Sequence, residues 1–146
     1  MTNCNILLAD DDDDDCRFFK DALDELPLDV SLNTIGNGAE LMHLLIKNLP
    51  DLPNMLFLDL NMPRKSGFEC LSEIKQDEKL KQLQVIVYST SLDPQVIDLL
   101  YTKGANYYIR KPADFTDLKN VIYKAISLGI QKNSSQPPKE KFVIKP

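Results

Sequence analysis

Apolar residues along this chain follow two alternating rhythms. Short, nearly continuous apolar runs occupy 4–9 (CNILLA), 29–35 (DVSLNTI), 54–59 (NMLFLD), 84–89 (QVIVYS) and 106–110 (NYYIR). Runs of that length, several rich in Val, Ile or Tyr and with little polar alternation, read as strands buried on both faces. Between them the apolar positions recur at helical spacing. Phe18, Phe19, Ala22, Leu23 and Leu26 form one stripe within 15–26, and Leu41, Leu44, Leu45 and Leu49 another within 38–49. Phe68, Leu71, Ile74 and Leu80 fall within 67–80, and Val96, Ile97, Leu99 and Leu100 within 94–103. Leu118, Val121, Ile122, Ala125 and Ile126 complete the series within 114–128. Turn signals separate the elements: Leu26-Pro27, Asn37-Gly38, Pro50 to Pro53, Asp93-Pro94 and Lys111-Pro112.

Strand then helix, five times over, predicts an α/β domain with a parallel sheet covered on both faces and right-handed crossovers. One domain over 1–128 accounts for this pattern. The last stretch, 129–146, is polar, contains Pro and Ser, and shows no period until Phe142-Val143-Ile144. It reads as a flexible C-terminal tail, and no second domain fits in it.

Charge narrows the function. The net charge of −5 argues against a nucleic-acid-binding surface, which needs clustered Lys and Arg. No apolar run approaches the roughly 20 residues of a membrane span. The N-terminus, MTNC, lacks the basic segment and apolar stretch of a signal peptide, so the expected location is cytoplasmic. Cys4, Cys16 and Cys70 match no metal or disulfide spacing and read as reduced thiols. His43, the only histidine, lies in a helix-like stretch and reads as surface, since one imidazole makes no zinc site.

In a parallel α/β sheet, ligands bind outside the carboxyl ends of the strands. The first run ends in Asp10 and Asp11, the third in Asp59, and the fourth in Ser89-Thr90-Ser91; Lys111-Pro112 follows the fifth. Three carboxylates, a hydroxyl and a lysine would converge on one edge. Carboxylates that close are costly unless a cation neutralises them. Mg²⁺ suits such oxygen ligands, and an aspartate beside it can act as a nucleophile toward phosphorus. Lysine and hydroxyl groups then hold phosphoryl oxygens.

The run of six aspartates, Asp10 to Asp15, exceeds what a metal needs. Asp10 and Asp11 suffice; Asp12 to Asp15 read as caps and solvated charge at the start of a helix near Asp14 or Asp15. A calcium loop of the EF-hand type is excluded, because its sixth and twelfth positions, Gly and Glu, would be Asp15 and Asp21.

Over residues 5–128 the chain resembles the receiver domain of bacterial two-component response regulators, of the single-domain chemotaxis type. The likeness rests on ILLADD at the first strand, FLDLNMPRKSGFE around Asp59, VIVYSTS at the fourth strand and GANYYIRKP at the fifth. It implies a flavodoxin-like, doubly wound five-stranded parallel sheet of order 2-1-3-4-5 with five helices. It also implies that Asp59 is the phosphoacceptor. Asp10, Asp11, Asp59 and the backbone carbonyl of Asn61 would bind Mg²⁺. Ser89 would be the switch hydroxyl, Lys111 the lysine that pairs with the phosphoryl group, and Tyr108 the aromatic switch residue. Pro63 and Gly67 match the loop that shapes the site, and the bond before Pro112 is usually cis in this family. Strand alternation puts Tyr107 opposite Tyr108, as an exposed neighbour.

The chain departs from the family pattern in its long acidic run, in Ser89 where Thr is commoner, and in Thr90 where Ala or Gly is frequent. Function follows as an expectation. A sensor histidine kinase or histidine phosphotransfer protein donates a phosphoryl group to Asp59. The protein then signals through a changed surface on the fourth helix, fifth strand and fifth helix, toward a downstream protein, or relays the phosphate. Any catalysis is confined to phosphorylation and dephosphorylation of its own aspartate. An alternative is a non-phosphorylated receiver acting as a protein-docking module. Haloacid-dehalogenase phosphatases share the Asp nucleophile but leave the FLDLNMP and KP elements unexplained. A flavodoxin-type carrier would set six aspartates against a flavin phosphate.

Overall fold

Strands and helices alternate throughout the computed structural model, which describes residues 4–91, 93–131 and 135–146. In chain order they are β1 (Cys4–Ala9), α1 (Asp13–Asp24), β2 (Val30–Ile35), α2 (Gly38–Lys47), β3 (Met55–Leu58), α3 (Gly67–Gln76), β4 (Gln84–Ser89), α4 (Pro94–Thr102), β5 (Tyr107–Arg110) and α5 (Phe115–Gln131). The strands form one parallel sheet of order β2-β1-β3-β4-β5. This is the flavodoxin-like arrangement the sequence led us to expect.

Every residue of β3 and β4 is buried, which is why both runs lack polar alternation. Leu56, Leu58, Val85 and Val87 face a cluster with Leu41, Leu45, Leu71, Ile74 and Leu100 from α2, α3 and α4. Met55, Phe57, Ile86 and Tyr88 face the opposite cluster, with Phe19 and Leu23 of α1 and Val121, Ile122 and Ala125 of α5. Each Val, Leu, Ile, Phe or Met side chain among them contributes about 1.5–3 kcal/mol when fully buried. β2 is an edge strand and only partly buried, so its sequence is the most polar of the five.

Some boundaries differ from the periodicity. Helix α1 begins at Asp13, because the Asp12 carboxylate accepts the N–H groups of Asp14 and Asp15 at 2.9 and 3.1 Å. Helix α3 stops at Gln76, and Leu80 reaches the core from the turn that follows. Tyr107 is buried, not exposed: with α5 covering that face of β5, both Tyr107 and Tyr108 have apolar surroundings.

The C-terminal stretch also departs from a free tail. Helix α5 extends to Gln131, and residues 142–144 lie along β5. Tyr108 N–H donates to the Phe142 carbonyl at 3.0 Å, and Ile144 N–H donates to the Tyr108 carbonyl at 2.9 Å. Phe142 and Ile144 are buried on opposite faces of the sheet, beside Tyr108 and Tyr107 respectively. The Tyr101 hydroxyl donates to the Pro137 carbonyl at 2.9 Å, and Lys139 pairs with Asp98 at 3.0 Å. The physical cause is the FVI patch: Phe142, in a helical conformation, and Ile144, beyond it, enter the two opposite clusters and supply the burial that the polar residues before them lack.

Candidate functional site

The parallel ladder continues one residue past three of the strands and thereby places the site. Asp10 N–H donates to the Ile35 carbonyl at 3.0 Å and Asp59 N–H to the Ala9 carbonyl at 2.9 Å. Lys111 N–H donates to the Ser89 carbonyl at 2.8 Å. The backbones of Asp10, Asp59 and Lys111 are thus fixed by sheet hydrogen bonds, while their side chains emerge at the carboxyl edge.

Carboxylate oxygens of Asp10, Asp11 and Asp59 lie within 4.8 Å of one another. Asp10 and Asp59 are buried, whereas Asp11 is exposed. Asp10 Oδ1 accepts the Asp12 N–H at 3.0 Å. Asp10 Oδ2 is buried, stands 2.9 Å from Lys111 Nζ as an ion pair, and accepts no hydrogen bond of ordinary geometry. Burial pushes the Asp59 carboxyl up to about 6, with the neighbouring Asp10 adding to the effect and Lys111 and the N–H groups of Asn61 and Leu60 opposing it. Burial likewise raises Asp10, against Lys111 and the Asp12 N–H. Burial pulls the Lys111 ammonium down, but the hydrogen bond to Asp15 and the close negative charges of Asp10 and Asp59 outweigh it. Lys111 therefore stays protonated above its ordinary range.

Ser89 is buried at the end of β4, and its hydroxyl accepts the Ser91 N–H at 3.3 Å. Tyr108 is buried, with its hydroxyl donating to the Ser91 carbonyl and its ring 6.5 Å from that of Phe142. Thr90 is exposed. The start of α3 packs against the backbone at the end of β3. A Cβ on Gly67 would fall 2.2 Å from the Asp59 carbonyl oxygen and 2.7 Å from Leu60 Cα, so only glycine fits there. Gly67 N–H donates to the Leu60 carbonyl at 2.9 Å.

Of the residues expected at the site, Asp10, Asp11, Asp59 and Lys111 are brought together, and Ser89 lies at the end of the neighbouring strand. Asn61 is exposed at the rim. One expectation fails: the bond before Pro112 is trans, and Leu49–Pro50 is the only cis bond among the described residues. His43 is exposed, as expected.

Two neighbours were missed. Asp15, read as solvated, has its Oδ2 2.8 Å from Lys111 Nζ. The Tyr88 ring lies under the same ammonium, 5.2 Å from its centroid. The signal for Asp15 was present: the stripe of Phe19, Ala22 and Leu23, extended back one turn, lands on it.

An acidic trio, a protonated lysine and a buried hydroxyl at the carboxyl edge of a 2-1-3-4-5 sheet define the class of the protein, and sequence comparison agrees. The profile of the response regulator receiver domain matches residues 6–123, and the chain belongs to that family. It is 34% identical over 122 residues to response regulator Rcp1 of Synechocystis sp., covering 80% of this chain and 82% of that one. The crystal structure of the phosphorylated cyanobacterial phytochrome response regulator RcpA superposes with a TM-score of 0.80 at 31% identity, over 88% of this chain and 95% of that one. The Mn²⁺-bound form of Rcp1 gives 0.77 at 31% identity, over 92% and 99%. Receiver domains interact with histidine kinases or phosphotransfer proteins, and the chain is a receiver homologous to stand-alone response regulators. No helix among the described residues is long and apolar enough to cross a membrane.

Proposed function

We propose that Asp59 accepts a phosphoryl group from the phosphohistidine of a kinase or phosphotransfer protein, and that the protein signals through the resulting surface change. The observation that carries this reading is the meeting of Asp10, Asp11 and Asp59 within 4.8 Å of one another beside a protonated Lys111. The donor set fits Mg²⁺: hard carboxylate oxygens, one of them a buried Asp10 oxygen without a hydrogen bond. Asp10, Asp11, Asp59 and the Asn61 carbonyl would hold the ion. Bound there, it supplies neutralising charge and Lewis acidity for phosphoryl transfer.

The chain's own residues do the rest. An Asp59 carboxylate oxygen attacks phosphorus as the P–N bond to imidazole breaks, and the bonding pair leaves with the imidazole nitrogen. Burial keeps competing water out of the approach, and the Asn61 and Leu60 N–H groups orient the carboxylate. Lys111 and the Ser89 hydroxyl receive phosphoryl oxygens, which gives the new charge two fixed partners. Ser89 and Tyr108 are linked through Ser91, so a shift of Ser89 toward the phosphoryl group is felt at the Tyr108 hydroxyl. This supports a readout on the surface of α4, β5 and α5, where a downstream protein would bind. A cytoplasmic location follows from kinase partnership.

The Mg²⁺ requirement tests the reading. Uptake of phosphoryl groups from acetyl phosphate should stop when EDTA removes Mg²⁺ and resume when Mg²⁺ is restored. Uptake that is indifferent to both would contradict it.

A further inference from the structure

The acidic run brings one more carboxylate to the site than the proposed chemistry uses. Asp15 is the third residue of α1, one turn before the buried Phe19, and is itself half-buried. Its Oδ2 takes a 2.8 Å hydrogen bond from Lys111 Nζ. The same ammonium is 2.9 Å from Asp10 Oδ2 but 3.6 Å from Asp59 Oδ1. Of its three carboxylate partners, Lys111 therefore holds least closely the one that would receive the phosphoryl group. The Tyr88 ring flanks the ammonium and limits where it can go.

We propose that Asp15 is a positioning residue that latches Lys111 toward α1 in the unphosphorylated protein. This rests on the reading of Asp59 as phosphoacceptor. Two consequences follow from the charges. With Lys111 drawn to Asp15, the Asp59 carboxylate is left open to a divalent cation instead of being neutralised by the lysine. For phosphorylation, Lys111 must exchange Asp15 for a phosphoryl oxygen, so the latch stabilises the resting state and slows uptake. A cation on Asp10 would leave Asp15 as the main competitor for the lysine. The neighbour Asp13 shares the first turn of α1 but is exposed, so it supplies the same charge and helix-dipole effect without the bond.

Three variants of the full chain separate these effects: Asp15→Asn, Asp15→Glu and Asp13→Asn. Mg²⁺ affinity is read by calorimetric titration with the metal alone. Uptake is read as the initial rate with acetyl phosphate at saturating Mg²⁺. Asp15→Asn should weaken Mg²⁺ binding by about threefold or more and speed uptake by a similar factor, the scale of one partly exposed charge pair. Asp15→Glu, which keeps the carboxylate, should return both toward wild type. Asp13→Asn should change each by less than half as much. Asp15→Asn that matches wild type or Asp13→Asn in Mg²⁺ affinity, or that takes up phosphate no faster than wild type, overturns the latch. A wild type that takes up no phosphoryl group sinks the phosphoacceptor reading, and the Mg²⁺ titration then decides the latch by itself.

Discussion

Gly67 and Asp59 touch through their backbones: a Cβ at position 67 would sit 2.2 Å from the Asp59 carbonyl oxygen. The first residue of α3 thus packs directly against the residue proposed to take the phosphoryl group. Gly67→Ala must push the loop or the strand end aside. It should destabilise the fold by about 1–3 kcal/mol, the usual cost of overpacking. It should also weaken Mg²⁺ binding, because Asp59 and the Asn61 carbonyl sit on the displaced segment. Urea unfolding and a Mg²⁺ titration of the variant check both.

The raised carboxyls predict an unusual pH response for the metal-free protein. Asp59 moves from an ordinary 3.8 to about 6 on folding, and Asp10 is raised as well. The folded state therefore binds more protons than the unfolded one between these values, so stability falls as pH rises through this window. For Asp59 the loss is on the order of 2–3 kcal/mol. Glu69 is lowered by its hydrogen bonds to Ser66 and works in the opposite sense, but it is exposed and its effect is small. The melting temperature without metal should be higher at pH 5 than at pH 7. Added Mg²⁺ should close most of that gap, since it binds the ionised carboxylates and stabilises by mass action. Asp59→Asn should flatten the metal-free profile; an unchanged slope in that variant would sink the assignment of the effect to Asp59.

The docked C-terminal segment makes a separate prediction. Phe142 is buried against Tyr108 and stacks edge-on to Tyr101 at 5.1 Å. Phe142→Ala should cost about 3 kcal/mol or somewhat more if the segment stays in place with a cavity. It should cost less if the segment detaches as a unit. Hydrogen exchange at the Ile144 and Tyr108 amides distinguishes these cases, because both amides lose protection only on detachment.

Much of this architecture was legible from the chain. The buried strands announced themselves because β3 and β4 have no solvent-facing side, and the site residues because strand ends are where a parallel sheet leaves side chains free. Asp15 was harder to see within a homopolymeric run. Its neighbours Asp13 and Asp14 are chemically identical, and only the helical phase set by Phe19 tells them apart. The course of the last residues was hidden for another reason. Phe142 and Ile144 form too short a pattern to fix a partner, and the partner is a strand some 35 residues earlier. Tyr107 went wrong because alternation says which side a residue faces, but not whether a helix covers that side.

Intact-mass measurement after incubation with acetyl phosphate and Mg²⁺, on wild type and Asp59→Asn in parallel, tests the central claim most directly. The account predicts a gain of one phosphoryl group in the wild type and none in the variant. An equal gain in both, or no gain in a folded wild type that binds Mg²⁺, would contradict it.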